Sequence, residues 1–243
     1  MTRSTLGYIG LFLVAAFITA VANLPLYLVV QAAGLPLQAE RISGTIWKGQ
    51  IENAWITGYP VGDVAVNAKL WPLLQGRLAA DINLQGVIAT GSSRVSVGMR
   101  RISFQNADFS VNISPLNLRD AFDAPMSGEV LLKSPSLTIS PIACVEGTLS
   151  LTTDTLTKTA VRYGGEGFVL SGEGACEENA FLLPLKGEGP EGRVDATIRV
   201  SAEGYFTELN IEPTDRRLAG ALELYGFQQQ GNAFSLVQRG TLF

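Results

Sequence analysis

The sequence predicts a mainly β fold: one N-terminal transmembrane helix, then a curled antiparallel sheet with one short helical insert. Three observations predict it. Leu6 to Val30 reads LGYIGLFLVAAFITAVANLPLYLVV, and no charge falls between Arg3 and Glu40. Beyond residue 40, apolar and polar residues alternate in short runs, the period of strands with one buried face. Clusters of Gly, Pro, Asn and Asp separate those runs at hairpin spacing, as at Tyr59-Pro60, Gly91-Ser92 and Gly187-Glu188-Gly189-Pro190.

The opening segment is long enough for a membrane. About 20 apolar residues cross a hydrocarbon core, and residues 6–30 exceed that. Pro25 falls near the far end, where a kink costs least, and Tyr27 suits the headgroup level. A second reading stays open, a secretory signal peptide cleaved after Ala20-Val21-Ala22, before Asn23. The apolar run through Leu24, Leu26, Leu28, Val29 and Val30 outlasts the usual core of such a peptide, which favours an uncleaved anchor. On that reading residues 1–5 are a cytoplasmic tip, 6–30 the anchor, 31–40 a linker broken by Gly34 and Pro36, and 41–243 an exported body.

Within the body, glycine-led alternating runs begin at Gly44, Gly76, Gly128, Gly147, Gly167, Gly192 and Gly220. Val194, Ala196, Ile198 and Val200 take one parity, and Arg193, Asp195, Thr197 and Arg199 the other. The spacing of these runs is irregular, so a meander of hairpins is expected and not a solenoid. Trp71-Pro72-Leu73 reads as a turn or a single helical turn. Ser114 with Pro115 at the first helical position predicts a short helix near 115–123. That insert divides the strands into runs over 41–113 and 127–240, which two halves of one sheet would satisfy. A long one-faced sheet curls into a half-pipe unless something covers it.

Composition removes several functions. Net charge is −4 with both signs interspersed, so no basic face exists for a nucleic acid. There is no histidine, which excludes Ser-His-Asp and Cys-His sites and removes the commonest metal ligand. No catalytic, cofactor or metal residue is expected. The stretches Gly164 to Gly167 and Gly187 to Gly192 carry glutamates and open no helix, so they read as turns and not phosphate cradles. Glu166, Glu173, Glu177 and Glu178 lack calcium-loop spacing and read as a solvated face.

Two features remain as candidate sites. Cys144 and Cys176 form a single pair that an oxidising compartment favours as a disulfide, with two buried thiols the alternative. Trp47 and Trp55, eight residues apart in one strand run, share a face if no bulge intervenes. That face is either core or an exposed interaction patch.

The string Ser43-Gly44-Thr45-Ile46-Trp47-Lys48-Gly49, soon after an anchor, resembles the opening of the type II secretion system protein N family. Further similarity follows in order: Pro125 to Leu132 with its Gly-Glu-Val-Leu-Leu, Gly147-Thr148-Leu149, and a tail from Leu222 through Gly231-Asn232-Ala233-Phe234 to Gly240-Thr241-Leu242. Thr148-Leu149-Ser150-Leu151 departs from it, lacking a second glycine-to-tryptophan motif. The resemblance implies a non-enzymatic, single-pass inner-membrane protein of Gram-negative bacteria with a periplasmic β domain. It implies partners among the other inner-membrane platform proteins or the secretin. The body also resembles, more loosely, the curled sheets of AsmA-like lipid-transfer proteins, which implies a lipid- or lipoprotein-handling groove as the alternative.

Overall fold

Consecutive strands pair as neighbours in a computed structural model that describes residues 3–32, 37–56, 58–73, 77–98, 100–120, 123–214 and 216–241. The first six are β1 (Leu37–Thr45), β2 (Lys48–Ile56), β3 (Tyr59–Lys69), β4 (Leu78–Gln85), β5 (Ala89–Val97) and β6 (Ile102–Asn112). They continue as β7 (Glu129–Ser140), β8 (Ala143–Thr153), β9 (Leu170–Glu177) and β10 (Ala180–Gly189). The last are β11 (Gly192–Ser201), β12 (Gly204–Pro213), β13 (Gln228–Gln230) and β14 (Ala233–Gly240). All join one antiparallel sheet of 14 strands, with β1 at one edge and β13, placed after β14, at the other. Tight turns join most neighbours, while longer connections lead from β6 to β7, from β8 to β9 and from β12 to β13.

The two strand runs are therefore one sheet. The sequence also placed the single turn at Trp71, which is α3 (Leu70–Leu73). Four expectations are corrected. The short helix expected near 115–123 is only a 3-10 turn over Ser114–Leu116, ended by Asn117 at φ 52°; residues 121–122 lie outside the described residues. The run from Gly220 is no strand but part of α5 (Arg216–Leu224), and a further unexpected helix, α4 (Thr155–Arg162), follows β8. Strand β1 starts at Leu37, inside the expected linker.

The fourth correction concerns the first thirty residues. They are two helices, α1 (Arg3–Ala22) and α2 (Leu26–Ala32), not one. Proline lacks the N–H that helix continuation needs, and it disfavours helical geometry at the residue before it. Asn23 closes α1, its backbone N–H and side-chain amide both donating to Thr19 O at 3.1 and 2.8 Å. Leu24 O then accepts from Ile46 N at 3.0 Å, and Pro25 forms an isolated bridge with Thr45. The chain past the break belongs to the body: Leu26 is 4 % exposed and packs with Ile46, Ile51 and Ala54. Among the described residues no helix is long and apolar enough to cross a membrane.

Candidate interaction surface

Register and alternation give the sheet two opposite faces. On one, Ile42, Ile51, Val64, Leu84, Gly91, Phe109, Leu132, Leu151 and Gly172 pair in that order from β1 to β9. The row resumes as Leu185, Ala196, Leu209 and Leu236 from β10 to β14. One residue along, the row from β1 to β9 is Ser43, Gln50, Ala65, Asn83, Ser92, Asp108, Lys133, Ser150 and Glu173. A side-chain period of two keeps the rows on opposite faces. One face is apolar from edge to edge, and the other is polar and crossed by ion pairs such as Lys133–Asp108 and Arg193–Glu188.

The chain's own helices cover the apolar face only towards its two edges. At β1 to β3, Leu26, Leu24 and Val30 pack with Ile51, Ala54, Val64 and Val66. Towards the other edge, Leu156 of α4, Ala219 and Leu222 of α5, and Phe227 pack with Leu170, Val194, Ile211 and Phe234. A third cluster, of buried Leu183, Leu185 and Ala196 with Leu151, Ile198 and Leu209 packed on it, lies on β8 to β12. Between them, Leu84, Phe109 and Leu132 on β4, β6 and β7 are half-buried and belong to no buried cluster. The face is packed at both sides and half-buried at these three positions along its middle, where Ser93 and Ser134 are buried.

The two tryptophans do not share a face. In β2 the buried positions are Gly49 and Ile51, then Ala54, three residues on. The phase slips between them, where the register with β3 shifts and Asn53 adopts φ 49°. Asp63 fixes the slip by accepting from Asn53 N at 2.9 Å, while Asn53 Nδ2 donates to Glu40 at 2.6 Å. Such an extra residue re-aims every side chain beyond it. Trp47, in the β1–β2 turn, is half-buried against the Leu26 cluster, and its Nε1 donates to Val21 O at 3.0 Å. Trp55 alternates with buried Ala54 and is 44 % exposed on the other side. Trp47 is a joint between α1 and the sheet, and only Trp55 is a surface aromatic.

Cys144 and Cys176 are bridged, with Cα atoms 5.4 Å apart, joining the start of β8 to the end of β9. The glycine-rich turn at 164–167 is occupied from within: Glu191 accepts from Glu166 N at 3.1 Å and Gly167 N at 3.0 Å. A cavity of ≈ 620 Å³ at the β9–β10 and β11–β12 turns is lined by Glu178, Arg199, Tyr205 and Arg239. Its cations are engaged, Arg199 with Glu178 at 3.9 Å and Arg239 over the Phe206 ring at 5.2 Å. Among the described residues no group of three or more acidic or cysteine side chains is placed to hold a metal ion. The shifted acid–base groups serve structure. Hydrogen bonds from Arg94 and Lys69 hold the Asp81 carboxyl below its ordinary range. The Tyr163 phenol is pushed up to about 12, chiefly by its hydrogen bond to Asp120, which ties α4 to the β6–β7 connection at 2.7 Å.

An unclosed antiparallel meander with one apolar and one charged face defines a mainly β protein that presents two unlike surfaces. Residues 36–237 match the family model of type II secretion system protein N, and the chain belongs to that family. It is thus an accessory component of the type II secretion machinery, and its partners lie among the proteins of that system. No curated protein and no solved structure matches the chain.

Proposed function

We propose that this subunit is held at the inner membrane by its N-terminal apolar segment, with the sheet in the periplasm, and that it docks other secretion subunits without catalysing a reaction. The half-buried middle of the apolar face, outside every buried cluster, carries the docking reading. Leu84, Phe109 and Leu132 form an apolar strip that the chain's own helices leave uncovered, and such strips mark contact sites. The tether rests on the sequence, uncharged between Arg3 and Glu40. It draws support from α1, whose Tyr8, Leu11, Phe12, Leu13 and Ile18 are exposed and pack on no strand. The Cys144–Cys176 bridge suits an oxidising periplasm.

A photoreactive residue placed at Phe109, and separately at its neighbour Asp108 on the charged face, tests the docking. Crosslinks to an inner-membrane platform protein or the secretin are expected from position 109 and not from 108. Equal yields from both would overturn the strip as the docking site.

The same strip favours a second reading, a lipid- or lipoprotein-handling groove. Lipid co-purifying with the wild type, and lost on Phe109→Asp, would select that reading over the first.

A further inference from the structure

Antiparallel pairing collects alternate connections at each end of the sheet. The β1–β2 turn, α3 between β3 and β4, and the β5–β6 turn share one end. The same end receives α1: Val21 O is bonded to Trp47 and Leu24 O to Ile46, both in the β1–β2 turn. If α1 lies in the bilayer, this end lies against the headgroups.

Its surface combines exposed apolar side chains with exposed cations. Leu70, Trp71, Leu78, Val97 and Ile102 are exposed, Trp71 at 72 %. Arg77, Arg100 and Arg101 are exposed beside them. On the strands Arg41, Lys69, Arg94, Lys133, Arg193 and Arg199 each meet a carboxylate, while Lys48, Lys186 and Arg239 do not among the described residues. None of the three loop arginines has an acidic partner among the described residues. Connections at the opposite end carry Asp120, Asp123, Asp154, Glu166 and Glu191.

Carboxylates also occur at the α1 end, as Glu177, Glu178 and Glu203, but on the turns of β9 to β12. With a twist of roughly 20–25° per strand, those turns are rotated well away from the β3–β6 ends. The β3–β6 ends lie within on the order of 10–25 Å of the α1 junction, at about 4.8 Å per strand.

We propose that this rim is a membrane-docking site. Leu70, Trp71, Leu78, Val97 and Ile102 enter the boundary between headgroups and acyl chains, and Arg77, Arg100 and Arg101 contact anionic phospholipid headgroups. Tryptophan at the interface and unpaired cations above anionic lipid are the chemistry such a surface recognises. Docking at a second place, besides α1, fixes the sheet's tilt and therefore the direction its half-buried strip faces. The inference rests on reading α1 as membrane-embedded.

The test uses the full-length protein in vesicles of phosphatidylethanolamine and phosphatidylglycerol, with and without bromine at shallow acyl positions. Tryptophan emission is compared among wild type, Trp71→Phe and Arg100→Glu/Arg101→Glu. The wild type is expected to lose more emission to brominated lipid than Trp71→Phe does. The arginine variant is expected to lose that excess too, while still resisting alkaline extraction. All substituted positions are exposed, so melting curves should superimpose. Equal quenching of wild type and Trp71→Phe in protein that resists extraction would overturn the docking and leave the tether standing. Extraction of the wild type by alkali would overturn the tether and the docking together. A crosslinker at position 71 that captures a secretion subunit and no lipid would assign the rim to a protein partner and overturn the proposal.

Discussion

The indole Nε1 of Trp47 donates to the carbonyl of Val21 at 3.0 Å, across a sequence separation of 26. Val21 lies in the last turn of α1, where helix carbonyls lack an intrahelical donor. Leu24 N donates to Val21 O at 3.3 Å, and Trp47 adds a shorter bond while packing on the Leu26 cluster. Trp47→Phe keeps most of the packing and loses the bond, at a cost of about 1 kcal/mol. Trp47→Ala loses both, at about 3 kcal/mol. Amide exchange should report it: Ile46 N–H, bonded to Leu24 O at 3.0 Å, loses protection in both variants, and more in Ala. Unchanged exchange at Ile46 would mean that α1 and the sheet are joined elsewhere.

Val194 is the best-buried large side chain among the described residues, at 0 % exposure. It pairs with Ile211 on β12 and meets the cluster of Phe168, Leu222 and Phe234 beneath α4 and α5. Val194→Ala removes methyl groups from a site that helices and sheet both close, and should cost about 2 kcal/mol. Trp55→Ala, at an exposed position, should stay within about 0.5 kcal/mol of wild type. Urea midpoints compare the two directly. A large loss from Trp55→Ala would mean that its ring is covered in solution.

Those two residues also mark what a sequence can disclose. Val194, Ala196, Ile198 and Val200 alternate with charged or polar neighbours because β11 has one covered face, and a period of two is local information. The stretch from Gly220 alternates just as well, yet it lies in α5, where Ala219 and Leu222 meet the core at helical spacing. So short a window does not separate the two periods. Whether Trp55 shares a face with Trp47 turns on a bulge, which belongs to the pairing of β2 with β3 and not to either strand's own pattern. Asn53, a residue that tolerates positive φ, is its only local trace. Pro25 was visible, but its consequence was not, because that depended on Ile46 and Thr45 receiving the broken chain. The half-buried strip was least legible of all, since it depends on where helices distant in sequence come to rest.

The disulfide closes a loop of sequence separation 32 between β8 and β9. Closing such a loop in the unfolded chain is worth about 3–4 kcal/mol on the chain-entropy estimate. Cys144→Ser/Cys176→Ser should therefore melt well below the oxidised wild type, and reductant should lower the wild type towards the variant without moving the variant. A wild type indifferent to reductant would mean that the bridge does not form in solution.

Asp81 provides a pH-dependent test of the charged face. Its carboxylate receives Arg94 Nε at 2.7 Å and Lys69 Nζ at 2.6 Å, and Arg94 stands directly across the β4–β5 pairing. Both bonds favour the ionised form, so the folded-state pKa lies below the ordinary value of 3.8. A group whose folded pKa is depressed adds stability that is fully present above the unfolded pKa. That stability is lost as pH falls through the folded value. Asp81 is over a third exposed, so solvent screening limits the contribution to about 1 kcal/mol or less. Asp81→Asn should therefore be slightly less stable than wild type at neutral pH. The difference should shrink once pH drops under 3.8, and added salt should narrow it at neutral pH. Urea midpoints of both proteins across that range, at low and high salt, measure it. A difference that persisted unchanged into acid would show that Asp81 acts there through packing and not through charge.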